Sequence, residues 1–235
     1  MAADGCFSKF RKSCVSKPVE SKSSFAGLVL KDVTLPFPNH GHVILAKPSP
    51  ILLYQIGTHD TRILVDIPGK MPSAVNGDLR AYMVDVVKPQ LPEQVQAAFV
   101  DAVDRERIRS MPNSWLPPST NNQEGFILVG DAMNMRHPLT GGGMTVALWD
   151  VVHLTDLISP SKIPALTDSK AILNAMQSLH WRRKNLSSVI NILAQALYDL
   201  FAAGDSTFAV VISSLISGLN VLFVSGNSNA NGVTL

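Results

Sequence analysis

Four short apolar runs crowd the first third of the chain: Gly27-Leu28-Val29-Leu30, His42-Val43-Ile44-Leu45-Ala46, Ile51-Leu52-Leu53-Tyr54-Gln55-Ile56 and Arg62-Ile63-Leu64-Val65-Asp66-Ile67. Turn chemistry at Pro48-Ser49-Pro50 and Gly57-Thr58-His59-Asp60 separates the later ones. Connections this short predict an antiparallel meander rather than parallel crossovers. The Ser- and Lys-rich stretch 13–24 before them reads as a loop. After them, Pro92 opens a helix in which Val95, Phe99, Ala102 and Val103 form one apolar stripe, with Asp101, Asp104 and Arg105 outside it. Met111-Pro112 closes this helix, and 117–122 is a loop.

The pattern then changes. An apolar run over 125–129 ends in Gly130-Asp131 and passes through Pro138 and the glycines Gly141, Gly142 and Gly143 into a long apolar segment. This predicts a strand, an acidic turn and a glycine-opened helix over 144–158. That helix is apolar apart from Asp150, His153 and Asp156, so it is expected to be buried. From Asp168 a second helical region runs to Phe201, where Leu186, Val189, Ile190, Leu193, Leu197 and Leu200 keep a 3.6-residue period; Gly204 is its stop. Trp181-Arg182-Arg183-Lys184 is expected to break or expose it. The fold class is therefore α/β, or mixed α+β: a sheet-rich part, a helix, a cofactor-type strand and helix, then helices.

Composition adds limits. With 235 residues, 46% of them hydrophobic, the chain can bury a real core. A formal charge of +2 leaves no broad basic face, so nucleic acid is not expected as a partner. Cys6 and Cys14 have no CxxC pair and no histidines at zinc spacing, and read as reduced thiols. No secretory signal is visible at the start. Residues 206–235 carry no Asp, Glu, Lys or Arg. Within them 207–224 is a marginal bilayer span, since a crossing helix needs about 17–25 residues and five of these positions are Ser, Gly or Asn; a buried or membrane-surface helix fits better. Residues 225–232 read as disordered.

The chemistry concentrates in two places. At Gly130-Asp131, a strand-end carboxylate can accept hydrogen bonds from sugar or ribityl hydroxyls while the glycine permits close approach. The following helix start offers unpaired N–H groups and a positive dipole end, and Gly141, Gly142 and Gly143 keep side chains out of the approach. Such a site suits a pyrophosphate or an anionic flavin. The second place is Asp4-Gly5, followed by Ser8 and Arg11. By itself this is a turn and a helix cap. Other groupings read as structural: His40 and His42 as a polar strand edge rather than a metal pair, and Asp150, His153 and Asp156 as a polar seam rather than an acid/base row. Arg136-His137 is open between facing a cofactor and bonding to backbone.

Asp4-Gly5 with Ser8 and Arg11, then Gly130-Asp131-Ala132 with its proline and glycines, resembles the paired fingerprints of FAD-dependent monooxygenases of the para-hydroxybenzoate hydroxylase type. More narrowly, Asp4-Gly5-Cys6-Phe7-Ser8-Lys9-Phe10-Arg11, His40-Gly41-His42-Val43-Ile44-Leu45, Met111-Pro112-Asn113-Ser114-Trp115-Leu116-Pro117 and the run from Gly130 through Met144 to Val146 resemble the squalene monooxygenases, in a fungal style. The resemblance covers about 4–204. It implies FAD as cofactor, squalene and molecular oxygen as substrates, an NADPH-dependent reductase as electron donor, and membrane lipid at the cytoplasmic face of the endoplasmic reticulum. It implies that Gly130, Asp131, Pro138, Gly141, Gly142, Gly143 and Met144 hold the cofactor, supported by Asp4 and Gly5, with no catalytic acid, base or nucleophile and no metal in the chain.

On this reading 1–24 ends a FAD-domain segment, 25–110 is the substrate-domain sheet and helix, 111–160 returns to the FAD domain, 161–204 is the C-terminal helical region, and 205–235 is an uncharged tail. The family's Gly-x-Gly-x-x-Gly turn for the FAD pyrophosphate does not occur in this sequence. The expectation is therefore a C-terminal fragment, incomplete as a catalyst. The alternatives are a non-catalytic remnant with a membrane- or partner-binding tail, and a flavin hydroxylase with an aromatic substrate.

Overall fold

The structure is a computed structural model that describes residues 1–202 and the backbone of 221–225. It divides into two compact units, one of 1–21 with 113–198, the other of 22–112 with 199–235. The second is built on a six-stranded sheet. Its strands in chain order are β1 (Glu20–Lys31), β2 (Gly41–Leu45), β3 (Ile51–Gln55), β4 (Asp60–Pro68), β5 (Arg109–Trp115) and β6 (Val221–Ser225), and they lie side by side as β5-β1-β4-β3-β2-β6.

The meander expected from the short connections is present in β2, β3 and β4, which pair antiparallel with Val43 opposite Leu52 and Ile51 opposite Val65. The first strand departs from it. β1 pairs antiparallel with β4, Gly27 opposite Leu64, because a strand of twelve residues can match the nine-residue β4 along its length. β1 also begins at Glu20, inside the stretch read as a loop: its first three residues are exposed, so they carry no apolar signal. The segment after the helix is likewise a strand rather than a helix stop and coil. β5 lies at the sheet edge, the position where a strand can accommodate a proline such as Pro112.

One face of the sheet is covered by helices. A short α2 (Asp78–Tyr82) continues through a wider π turn at Met83–Val87, and α3 (Glu93–Arg105) buries Val95, Phe99, Ala102 and Val103, the stripe visible in the sequence. These meet Ile44, Ile51, Leu53, Ile63 and Val65 in one core. Each of these Val, Leu, Ile and Phe side chains contributes about 1.5–3 kcal/mol by leaving water.

The other unit holds two smaller cores. Ala2, Val15, Leu116, Leu128, Ala132, Met133 and Met135 form one, and Val129, Leu154, Leu157, Met176 and Leu179 contribute to the other. Its helices are the single turn α1 (Arg11–Cys14), α4 (Gly143–Leu157) and α5 (Ser169–Ala202). Asp168 caps α5, its Oδ1 accepting the Ala171 N–H at 2.9 Å. The helix runs unbroken through Trp181-Arg182-Arg183-Lys184.

α4 corrects the expectation of a buried helix. Met144, Leu148, Trp149, Val151 and Val152 are exposed, Met144 by 75%, while Asp150 is buried. The polar residue faces inward because a buried guanidinium, Arg183, requires a carboxylate there. Among the described residues no helix is long and apolar enough to cross a membrane. The proposed span at 207–224 lies outside the described residues except for its last four positions, which belong to strand β6 rather than a helix. Of the tail read as disordered, 226–232 lies outside them too, and so does Gly204.

Candidate functional site

Two segments far apart in sequence are brought together at the start of the chain. The Ala2 N–H donates to the Ile127 carbonyl at 2.7 Å, and the Val129 N–H donates to the Ala2 carbonyl at 3.1 Å. The run over 125–129 is thus extended, but it forms a single parallel bridge, Ala2 with Leu128, rather than a full strand. Beyond the bridge each segment turns at a glycine with positive φ, Gly5 at +76° and Gly130 at +60°. A residue with a side chain is strained there, so glycine is required by the turn itself.

Arg11 joins the two turns. Its Nη2 donates to the carbonyls of Gly5 at 3.0 Å, Cys6 at 2.8 Å and Asp131 at 3.0 Å, and its Nε donates to the Ala132 carbonyl at 3.0 Å. The planar guanidinium fits this because its donors lie in a fixed fork. Arg11 is in turn held by its own segment: its N–H donates to Ser8 Oγ at 3.2 Å. The Asp4 carboxylate caps the same turn, accepting the Lys9 N–H at 3.0 Å. The Ser8 hydroxyl, then that backbone bond, holds the Asp4 carboxyl below the usual range. Asp4 and Gly5 therefore shape the turn that seats Arg11.

Asp131 is exposed, and among the described residues no hydrogen bond engages its carboxylate. A Cβ on Gly130 would lie 3.9 Å from Ala147 Cβ, which puts the Gly130-Asp131 turn against the first turn of α4. Pro138 opens a 3-10 turn over Pro138–Thr140 that ends at Gly141 in the left-handed region, φ +64°. Gly141 has open space around it, and Met144 is exposed beside it. The first amides of α4, from Gly143 onward, carry the positive end of a fifteen-residue helix.

Gly142 serves another purpose than an open approach. A Cβ there would lie 2.8 Å from Ile190 Cγ2, so this glycine lets α5 pack against the start of α4. Its φ of −73° is ordinary, so the clash alone determines the effect of substitution. Gly142→Ala is expected to lower stability by about 1–3 kcal/mol, and Ile190→Ala in the same chain to recover part of it. Thermal unfolding midpoints of the single and double variants check this; an unchanged midpoint for Gly142→Ala would contradict it.

Below the glycine turn lies a buried polar network. Asn134, fully buried, donates from Nδ2 to the Leu116 carbonyl at 2.7 Å, and its Oδ1 accepts from Arg136 Nη2 at 2.6 Å and Arg183 Nη2 at 3.3 Å. Arg183 forms a two-pronged pair with Asp150, both contacts 2.7 Å. Arg136 donates to Asn191 Oδ1 at 2.8 Å, to the Asn134 carbonyl at 3.1 Å and to the Gly143 carbonyl at 3.2 Å. Its acceptors are neutral oxygens. Burial, then the nearby Arg183 charge, pushes the Arg136 pKa down, while Asp131 and Asp150 oppose the shift. Two guanidiniums against one buried carboxylate leave an excess of positive charge under the turn.

The open question about Arg136-His137 resolves toward structure. Arg136 is the centre of this network, and His137 stacks on Tyr198 with centroids 4.1 Å apart while its Nδ1 accepts the Leu139 N–H. The row Asp150, His153 and Asp156 is divided: Asp150 is in the buried pair, His153 lies against Trp149, and exposed Asp156 binds Lys162 and Arg182. The basic group at 181–184 divides too, with Trp181 exposed under Lys184 Nζ and Arg183 buried. In the sheet unit His42 is buried and its Nε2 accepts the Phe37 N–H, so its ring fastens the β1–β2 connection. Among the described residues no cluster of His, Cys, Asp or Glu is arranged to hold a metal. The buried roles of Asn134, Arg183 and Asn191 were not visible in the sequence; only the helical spacing of Asp150 hinted at an inward polar contact.

The family model for squalene epoxidase matches residues 1–226. The chain is 56% identical over 205 residues to squalene epoxidase erg1 of Aspergillus fumigatus, covering 86% of this chain and 43% of that protein. It is 48% identical over 208 residues to the squalene monooxygenase of Mus musculus, covering 88% of this chain and 35% of that protein. The chain thus spans less than half the length of these relatives. Among solved structures, it is similar to Klebsiella pneumoniae HpxO complexed with FAD and uric acid, at a TM-score of 0.72 and 17% identity, over 93% of this chain and 58% of that one. It is also similar to pqsL, a probable FAD-dependent monooxygenase from Pseudomonas aeruginosa, at a TM-score of 0.64 and 22% identity, over 90% of this chain and 58% of that one. The fold is that of these monooxygenases, and the chain belongs to the squalene epoxidase family.

Proposed function

We propose that this chain supplies the flavin-facing half of a FAD-dependent squalene epoxidase. The observation that carries the reading is Arg11 fastening the Gly5 turn to the Gly130-Asp131 turn, which makes one rim from two distant segments. The residues fit the cofactor. Asp131 presents a carboxylate to ribityl or ribose hydroxyls, Gly130 and Gly141 let backbone approach closely, and the α4 amides with the buried excess positive charge favour an anionic ring. Exposed Met144 offers apolar surface beside them. Bound there, FAD would supply the oxygen activation that adding one oxygen atom across squalene's terminal double bond requires.

The chain's own contribution is binding, orientation and exclusion of water. No protein acid or base is assigned a step. Squalene and molecular oxygen are the proposed substrates, with electrons from an NADPH-dependent reductase. Association with membrane lipid at the cytoplasmic face of the endoplasmic reticulum is proposed too. The exposed apolar side of α4 and exposed Trp181 support a lipid-facing surface.

The test joins this chain to the part of the Aspergillus relative that it does not match, and supplies FAD, reductase, NADPH and squalene. The joined protein is expected to bind flavin and form an epoxide. A folded joined protein that binds flavin but turns over an aromatic substrate instead would overturn the substrate, and one that binds no flavin would overturn the reading.

A further inference from the structure

Sharing no residue with the Gly130-Asp131 rim, the same unit contains a cavity of about 560 Å³. It lies between the stretch after α1, the loop after Leu116 and the middle of α5. Its walls include Lys17, Ser119, Thr120, His180, Lys184 and Ser188, and no Asp or Glu is among the residues lining it. A cavity of this size is in the range of small-molecule sites. Its character is cationic and hydroxylated rather than apolar.

A buried polar atom in these walls lacks a partner: Ser119 Oγ has no hydrogen bond, while the neighbouring His180 ring meets the Ser119 backbone. Such groups ordinarily find a partner, and an unmet one is costly. The local charge is also uncompensated. Burial first, then the charges of Arg183, Lys184 and Lys17, pushes the His180 pKa down, against a backbone contact with Ser119 that raises it. Arg183 is committed to Asp150, whereas Lys184 Nζ rests over the Trp181 ring, 4.5 Å from its centre. That exposed cation–π contact is weaker than a charge-assisted hydrogen bond, so the lysine can turn to an anion.

We propose that this cavity is a phosphate-binding site separate from the flavin rim, which takes a phosphate monoester, either free or as a lipid headgroup, between Lys17 and Lys184 with Ser119, Thr120, Ser188 and His180 around it. A phosphate matches the wall chemistry because its oxygens accept from ammonium and hydroxyl donors together. The cavity exceeds a bare phosphate, which leaves room for the ester's substituent. Binding of the anion offsets the positive field at His180 and raises its pKa.

The ring C–H resonances of His180, assigned with His180→Gln, report this in the full chain by NMR. Inorganic phosphate is expected to shift them saturably and to move the His180 titration to higher pH. Lys17→Gln or Lys184→Gln should weaken binding by about tenfold, and Lys12→Gln, an exposed lysine outside the cavity, should leave it unchanged. A short-chain phosphatidic acid below its micelle concentration identifies the source: tighter binding than phosphate assigns a lipid headgroup, equal binding a free phosphate monoester. Absence of a saturable shift with both probes, or equal weakening by Lys12→Gln, overturns the site. Displacement of phosphate by FAD would assign the cavity to the cofactor and overturn its independence.

Discussion

Replacing Asp150 with Asn is expected to cost about 3–5 kcal/mol of folding stability, because it leaves a buried cation without its counter-charge. Asp150 and Arg183 are 1% and 3% exposed, and they form two contacts of 2.7 Å. The loss is larger here than for an isolated pair, since Arg136 is already buried nearby on neutral acceptors. Folded domains are stable by about 5–15 kcal/mol in total, so this single change consumes a large fraction of the margin. Denaturant titration should show a lower midpoint at unchanged slope. Asp150→Asn with Arg183→Met should lose less than the sum of the two single changes, because both charges leave together. Additive losses would contradict a direct pair.

Arg11→Ala is expected to lower stability by about 3 kcal/mol, since Arg11, a residue 8% exposed, donates from its guanidinium to four backbone carbonyls that no other side chain reaches among the described residues. Its functional effect should be larger than its effect on stability. Without the link, the Gly5 and Gly130 turns lose their side-chain hydrogen bonds and keep the Ala2 bridge, the Phe10–Phe126 ring contact and the shared apolar core, so cofactor affinity should fall even where the chain stays folded. Arg11→Lys keeps the charge but not the fork, and should recover little. Full recovery by lysine would mean that charge, not shape, fastens the turns. Circular dichroism and FAD affinity, measured on the same joined protein, separate folding from binding.

The readable parts of this fold were those where periodicity and burial coincide. The α3 stripe is such a case: Val95, Phe99, Ala102 and Val103 keep the helical period, and all four are buried. β5 has no such signal, because an edge strand reading Arg-Ser-Met-Pro-Asn-Ser-Trp is mostly polar and carries a proline. The pairing of β1 with β4 is a long-range choice that local pattern does not encode. α4 misled in the opposite sense: its apolar residues are many, but the inward face was chosen by the demand of Arg183 for a carboxylate. At the rim, glycine positions were legible and their reasons only partly so, since Gly130 and Gly141 answer to backbone shape and Gly142 to Ile190.

Within this account the rim made by Gly5, Arg11, Gly130 and Asp131 holds the flavin, and Asp131 is the side chain that meets it. The most direct measurement is FAD affinity in the joined protein with Asp131→Ala, beside Asp156→Ala as an exposed carboxylate away from the rim. Loss of a charge-assisted hydrogen bond predicts a fall of about tenfold or more for Asp131→Ala, with Asp156→Ala binding like the parent. Parental affinity in a folded Asp131→Ala protein would contradict the account.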